Sequence, residues 1–195
     1  MTSAPARSSP LRPHWDAVVI GAGITGIYQA YLLREQGLRV RGFEAGRDVG
    51  GTWYWNRYPG CRLDTESYAY AYFSLNGLMP EWQFSERFAA QPELLRYVRA
   101  AAERMGIKKD YQFGTRVISA RYAQDEQRWE LVSDDGGQCT CQFLISAVGP
   151  LSAVRMPQIS GMETFEGQAF HSPSGPEMKR AMGLPLWIFG ASGWP

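Results

Sequence analysis

The segment Gly21-Ala22-Gly23-Ile24-Thr25-Gly26 constrains the fold of this chain more than any other feature. It has the pattern G-x-G-x-x-G and follows a β-branched run at residues 16–20, where a buried parallel strand is expected. Apolar side chains then recur with helical spacing over residues 24–36, and residues 38–44 have the composition of a second strand. The strand–helix–strand order predicts an α/β fold with a parallel sheet and a right-handed crossover.

The three glycines of this loop have separate physical roles. The first permits the tight turn, the second lets a diphosphate approach the backbone, and the third allows the helix to pack closely on the strand. The N-terminus of the helix adds N–H donors and a partial positive charge. The hexapeptide alone would also fit a plain glycine-rich turn, but its place between a strand and a helix favours dinucleotide binding.

Glu44 strengthens that interpretation. It ends the second predicted strand, eighteen residues after Gly26, where a carboxylate that binds a ribose hydroxyl is expected. An acidic residue at this position favours a free ribose hydroxyl, as in FAD or NAD, over a 2′-phosphate. We therefore predict that the six loop residues and Glu44 bind a dinucleotide.

The rest of the chain predicts one Rossmann-like domain and part of another. Residues 45–81 are rich in glycine and aromatic residues and lack periodicity, which is typical of a functional loop. A helix is predicted from Pro92 to Gly106, and three strand-like runs follow as an antiparallel β-meander inserted in the parallel fold, at residues 115–122, 128–133 and 139–147. The predicted organisation is a disordered arm (1–14), a dinucleotide-binding domain (15–152), and a linker with the incomplete start of a second domain (153–195).

Composition excludes several classes of function. The net charge of +1 gives no electrostatic case for nucleic acid or an anionic membrane surface, and no apolar run approaches membrane-spanning length. Cys61, Cys139 and Cys141 are too few for a disulfide framework and lack a zinc spacing, so no metal is predicted. We expect Cys139 and Cys141 to share one face of a strand as core residues, and the N-terminus, which lacks a signal segment, indicates a cytoplasmic protein.

The loop after Glu44 carries a resemblance to a known family. Gly50-Gly51 resembles the second glycine signature of two-dinucleotide flavoproteins, and Thr52 to Gly60 (TWYWNRYPG) closely resembles the loop of Baeyer–Villiger monooxygenases. The similarity continues through Glu81-Trp82, Ser85-Glu86-Arg87 and Gln91-Pro92-Glu93, and covers most of residues 16–149. It implies an FAD site in an enzyme that uses NADPH and O₂ to convert a ketone into an ester or lactone.

The resemblance also assigns roles to residues. It implies that Asp64 lies beside the flavin and helps to orient a catalytic arginine, which the family carries in sequence not found among these 195 residues. The candidate catalytic residues of this chain are Asp64 and Arg62. The further positions that it places against FAD are Gly51, Thr52, Trp53, Tyr54, Trp55, Asp64, Tyr70, Val117, Ala147 and Gly149. Alternatives remain: the three successive aromatic residues could be core residues, although they cannot all face one core, Tyr70 could serve packing, and Arg62 and Asp64 could form a surface ion pair.

The last part of the sequence departs from the family pattern. Phe165, Gly167 and His171 match the fingerprint F-x-G-x-x-x-H, but Gly175 replaces its tryptophan before Pro176. Residues 190–193 (GASG) stand where the NADP loop is expected and lack two of its positions. We therefore expect either a monooxygenase whose activity needs further sequence, or a non-catalytic FAD-binding fragment. The fragment could be a truncated product, with a frameshift over 172–195, that is completed by another chain or self-associates.

Overall fold

The computed structural model describes residues 13–72, 82–153, 158–164, 166, 168–171 and 186–189. Three short 3₁₀ segments occur at Ser67–Tyr70, Lys108–Asp110 and Met162–Thr164. The remaining elements, in chain order, are β1 (His14–Ile20), α1 (Ile24–Glu35), β2 (Val40–Glu44), α2 (Thr52–Trp55), α3 (Gln91–Arg104), β3 (Tyr111–Phe113), β4 (Val117–Ala123), β5 (Arg128–Ser133), β6 (Gln138–Ser146), β7 (Gln168–His171) and β8 (Leu186–Phe189).

Six of the strands form one mixed sheet in the order β3-β2-β1-β6-β5-β4. β1 pairs in parallel with β2 on one side and β6 on the other, through Val19↔Gly42 and Val19↔Ile145, and β3 extends the parallel half. β5 and β4 continue from β6 as an antiparallel meander. The predicted α/β, Rossmann-like fold with an inserted antiparallel meander is confirmed, whereas β3 was not predicted because three residues carry no readable period.

The two long helices cover one face of the parallel strands. α1 contributes Ile27 and Ala30 to the core, and α3 contributes a stripe that includes Leu94 and Val98. Both helices end at the predicted glycines, since Gly37 and Gly106 adopt φ values of +82° and +58° that favour glycine. The glycine loop and its helix therefore rest on a packed layer.

Arg34 ties the C-terminal ends of these helices together. Its guanidinium donates to the Gly106 carbonyl at 2.9 Å and pairs with Asp110 at 2.9 Å, and it also donates to the Met105 carbonyl. A cationic donor thus binds the two carbonyls that follow the last residue of α3, where it is favoured by the negative end of the helix dipole. This contact fixes α1 relative to the segment that leads into β3.

The meander encloses a second apolar cluster on the opposite face, formed by Val18, Phe43, Leu131, Cys139 and Cys141. The prediction that Cys139 and Cys141 are core residues is confirmed, and both are free thiols. Burial raises the pKa of Cys141 to about 12. No helix in the described part of the chain is long and apolar enough to cross a membrane.

The first strand begins earlier than the sequence predicts. His14, placed in the predicted disordered arm, is the first residue of β1, and its ring Nδ1 lies 2.9 Å from the Thr140 hydroxyl. Pro13 also contributes, because its carbonyl accepts from the Thr140 N–H at 3.0 Å. Pairing with β6 orders these two residues although their local sequence does not predict a strand.

In the C-terminal part, β7 and β8 pair in parallel as a separate two-stranded sheet. His171 of the predicted fingerprint ends β7. The other fingerprint positions (Phe165, Gly167, Gly175 and Pro176) and the glycine segment 190–193 lie outside the described residues.

Candidate functional site

The first and third glycines of the loop are required by the fold itself. Gly21 has φ +104°, and a Cβ there would lie 2.4 Å from the carbonyl oxygen of Ala147. A Cβ on Gly26 would lie 2.0 Å from the carbonyl oxygen of Gly21. The loop therefore packs backbone against backbone at the carboxyl ends of β1 and β6, and larger residues have no room at these two positions.

Gly23 differs, because a side chain there would meet a neighbouring atom only at an ordinary contact distance. It occupies the N-cap position of α1 with φ −75° and ψ −175°, and the nearest atom to an added Cβ would be the Gly51 Cα at 3.5 Å. The side chain of an N-cap residue usually accepts an N–H of the first turn, yet α1 has no side-chain cap hydrogen bond. This helix terminus is available to an anion, which its N–H groups and dipole would stabilise.

Glu44 is buried behind this loop with 7% of its surface exposed. Its Oε2 accepts from the Ala22 N–H at 2.7 Å, and its Oε1 accepts from the Gly46 N–H at 2.7 Å. A carboxylate offers about four acceptor positions, so each oxygen keeps capacity for a further donor such as a hydroxyl. Glu44 therefore fixes the loop and remains able to bind a ligand.

The second glycine segment meets the first. Gly50 donates to the Ala22 carbonyl at 3.0 Å, and a Cβ on Gly51, which has φ +52°, would lie 2.6 Å from the Gly23 Cα. β6 approaches from the other side, where Ala147 donates to the Ile20 carbonyl at 2.9 Å. The fold thus gathers the predicted residues of the 21–26 loop, Glu44, Gly51 and Ala147 at one end of the parallel strands, where α/β folds place their ligands. Gly149 lies two residues further on, in a turn with φ +78°.

The aromatic loop divides between core and surface. Trp53 in α2 is buried, whereas Trp55 is 45% exposed and Tyr54 is half-buried. The expectation that the three residues do not all face one core is confirmed. Trp53 is a core residue, as the alternative interpretation predicts. The Trp53 indole N–H donates to the Tyr70 hydroxyl at 3.0 Å, and its carbonyl accepts from the Gln91 side chain. Gln91 had drawn no functional prediction from the sequence.

The two candidate catalytic residues lie on the surface and do not pair with each other. Arg62 forms its ion pair with Glu86 at 2.8 Å, so the alternative of an Arg62–Asp64 ion pair is wrong. The Thr65 hydroxyl lies 3.5 Å from the Asp64 carboxylate. The charge of Asp64 acts on Tyr70: burial raises the pKa of that phenol, the Trp53 hydrogen bond lowers it, and the Asp64 carboxylate raises it further.

Val117 opens β4 and is half-buried beside the second apolar cluster. The segment before it is bound to the end of β2, because Gly114 donates to the Gly46 carbonyl at 2.8 Å and Thr115 donates to the Glu44 carbonyl at 3.0 Å. This segment therefore runs past the carboxylate that the sequence assigns to a ribose.

Comparison with known proteins agrees with this geometry. A family of NAD(P)-binding Rossmann-like domains matches residues 19–79. The chain is 62% identical over 164 residues to the 2-oxo-Δ³-4,5,5-trimethylcyclopentenylacetyl-CoA monooxygenase of Pseudomonas putida, covering 84% of this chain and 30% of that protein. It is 42% identical over 164 residues to a Baeyer–Villiger monooxygenase of Pseudooceanicola batsensis, with coverage of 84% and 30%.

A solved structure of the enzyme OTEMO in complex with FAD and NADP aligns with a TM-score of 0.78 at 61% identity, covering 85% of this chain and 31% of that one. The chain belongs to the Baeyer–Villiger monooxygenases. The predicted family is thereby confirmed. The chain spans about a third or less of the length of these relatives.

Two further residues of this Baeyer–Villiger monooxygenase chain support the loops and were missed in the sequence. The Tyr111 hydroxyl donates to the Gly21 carbonyl at 3.2 Å. Asp48 anchors the segment before Gly50-Gly51, since its carboxylate accepts from Arg99 at 2.8 Å, Lys108 at 3.1 Å and the Val49 N–H at 2.8 Å. Neither contact has a local sequence pattern, because each depends on how distant segments pack.

Proposed function

We propose that this chain is the FAD-binding part of an NADPH- and O₂-dependent Baeyer–Villiger-type monooxygenase that converts a ketone into an ester or lactone. The observation that carries the proposal is the uncapped helix N-terminus at Gly23, which has no side chain and only an ordinary contact with Gly51, together with the buried carboxylate of Glu44. A diphosphate fits the first feature and a ribose hydroxyl fits the second.

The residues present fit the cofactor along its length. The loop residues Gly21, Ala22, Gly23, Ile24, Thr25 and Gly26 would hold the diphosphate together with Gly51, and the remaining capacity of Glu44 would accept a hydroxyl of the adenosine ribose. Val117, Ala147 and Gly149 would line the cofactor from β4 and the end of β6, and Thr52, Trp53, Tyr54, Trp55, Asp64 and Tyr70 would lie toward the flavin ring. Bound FAD would supply the electron transfer and the activation of O₂, while the protein supplies placement and electrostatics.

Within that site Asp64 and Arg62 have different proposed roles. Asp64 is exposed and its charge raises the pKa of the half-buried Tyr70, so we assign to it the active-site carboxylate that orients a cation. Arg62 is engaged by Glu86 and by the Phe88 carbonyl at 3.3 Å. It would act on the site by holding the 62–64 segment in place.

The complete reaction is a proposal for a protein of the relatives' length, because this chain spans about 30% of them. NADPH would be the reductant, as for the relative solved with FAD and NADP. The parallel strands β7 and β8 would begin the domain that holds it. For the 195 residues alone, we propose FAD binding without turnover.

The purified chain tests both levels. It would be reconstituted with FAD and desalted, and its visible absorbance spectrum would give the flavin content. NADPH consumption would then be followed with and without a cyclic ketone. Retained flavin with no ketone-dependent NADPH consumption is the expected result. Absence of retained flavin would refute the FAD site, and ketone-dependent consumption would show that these residues suffice for turnover.

A further inference from the structure

One peptide group of the glycine loop is held at both of its polar ends. The carbonyl oxygen of Gly21 accepts from the Tyr111 hydroxyl at 3.2 Å. The N–H of the same peptide group, which belongs to Ala22, donates to Glu44 at 2.7 Å. The two side chains come from neighbouring strands, β3 and β2, so the sheet itself sets the orientation of this peptide.

Tyr111 reaches the loop because of the residue opposite it. In the pairing of β2 with β3, Tyr111 is the partner of Gly42. A Cβ on Gly42 would lie 2.4 to 2.5 Å from three atoms of the Tyr111 ring, so the ring lies directly over the glycine. The ring also stacks on Phe113 with a centroid distance of 5.8 Å and an interplanar angle of 25°. Only 5% of Tyr111 is exposed, and its side chain is packed in a single direction.

The direction of the hydrogen bond is fixed by chemistry. A carbonyl oxygen can only accept, so the Tyr111 hydroxyl must donate. Burial, and then the charge of Glu44, raises the pKa of Tyr111, which keeps the phenol protonated as a donor.

We propose that Tyr111 is a positioning residue for the dinucleotide site, acting together with Glu44 on the Gly21–Ala22 peptide. This inference rests on the proposed function. Gly21 lacks a side chain and has φ +104°, so its own conformational preference restrains this peptide little. The hydrogen bonds supply that restraint, and the peptide leads directly into Gly23, where the diphosphate would lie.

The test compares Tyr111→Phe with Tyr122→Phe. Both changes remove one tyrosine hydroxyl, but Tyr122 lies on β4, at the opposite edge of the sheet from β3, and packs against Trp129 with a centroid distance of 5.3 Å. A neutral hydrogen bond contributes about 0.5–1.5 kcal/mol, or about 2- to 12-fold in affinity, and a 3.2 Å bond lies in the lower part of that range. We expect Tyr111→Phe to raise the Kd for FAD about 2- to 5-fold, whereas Tyr122→Phe leaves the Kd unchanged.

A second measurement separates this inference from the proposed function. Amide hydrogen exchange of residues 21–26 is followed in the FAD-free protein, where we expect faster exchange in Tyr111→Phe and wild-type exchange in Tyr122→Phe. A wild-type chain that does not bind FAD would refute the proposed function, and the exchange data would still decide the role of Tyr111. Unchanged exchange in Tyr111→Phe, or the same change in both variants, would overturn the inference.

Discussion

Replacing Gly23 by alanine should separate cofactor binding from folding. The backbone at Gly23 is extended, with φ −75° and ψ −175°, which alanine adopts without strain. The added methyl would meet the Gly51 Cα at 3.5 Å, an ordinary van der Waals distance. A Gly→Ala change at a compatible position typically stabilises by about 0.4–1 kcal/mol, because the unfolded chain loses conformational freedom. Alanine is a poorer N-cap residue than glycine, which offsets this gain, so we expect the free energy of unfolding of FAD-free Gly23→Ala to stay within about 1 kcal/mol of wild type.

The affinity for FAD, in contrast, should fall strongly in Gly23→Ala. The methyl would occupy the space through which a diphosphate reaches the first turn of α1. Hydrogen bonds to charged groups contribute about 1.5–3 kcal/mol each, so loss of one such bond weakens binding by about 10- to 150-fold. Titration of the protein with FAD, followed by flavin fluorescence, measures this change.

Two other glycines provide the controls. Gly26→Ala would place a Cβ 2.0 Å from the Gly21 carbonyl oxygen, so we expect loss of folding as well as binding. Gly37 has φ +82° with no atom within 4 Å of an added Cβ. Gly37→Ala should therefore cost about 1–2 kcal/mol of stability through backbone strain and leave FAD affinity unchanged. Wild-type affinity in Gly23→Ala, to within about threefold, would refute the placement of the diphosphate against this residue.

Three further outcomes are expected. Glu44→Gln should turn an amide NH₂ toward one of the two backbone donors, Ala22 or Gly46, which lowers the free energy of unfolding by about 1–3 kcal/mol and weakens FAD binding. Urea titrations with and without FAD measure both effects. Unchanged FAD affinity would argue against a role for Glu44 in binding the ribose. Burial raises the pKa of Asp48, but the Val49 N–H and the cations Lys108 and Arg99 together lower it by more, so the net pKa lies below its usual value. Its ionised form therefore stabilises the fold fully above about pH 4 and loses that contribution as the pH falls through the folded-state pKa. The stability difference between wild type and Asp48→Asn should shrink below about pH 4, and a difference independent of pH would contradict the ion-pair account. A thiol reagent should label the three buried cysteines, Cys61, Cys139 and Cys141, only as the protein unfolds. Rapid labelling of the native chain would contradict their burial.

The parts of the fold that the sequence predicted are those with local patterns. The first strand, the glycine loop and α1 follow one another without interruption, and Glu44 ends the next strand, so residues 16–44 could be interpreted by spacing alone. The contacts that hold the loop could not. Tyr111 reaches Gly21 across 90 residues of sequence, and Arg99 reaches Asp48 across 51, so both depend on how strands and helices pack.

The aromatic loop shows a different limit. The run of three consecutive aromatic residues predicts that they lie in different surroundings, but it does not show which of them is buried. The packing of α2 against α3 decides it, since Gln91 at the start of α3 binds the Trp53 carbonyl. Asp64 and Arg62 were also candidate catalytic residues, but the sequence did not show that Arg62 forms its ion pair with Glu86.

Trp53 and Tyr70 show how a core residue can direct a site residue. An indole N–H can only donate, so in the hydrogen bond of 3.0 Å the Tyr70 oxygen is the acceptor. The Tyr70 proton is consequently free to point elsewhere, and the ring planes meet at 85°, which fixes the direction of the phenol. Burial raises the pKa of Tyr70, the Trp53 hydrogen bond lowers it and the charge of Asp64 raises it; the net pKa is raised, so this proton is retained. The buried Trp53 ring thus orients a protonated phenol, which is compatible with the placement of the flavin ring that we propose for this loop.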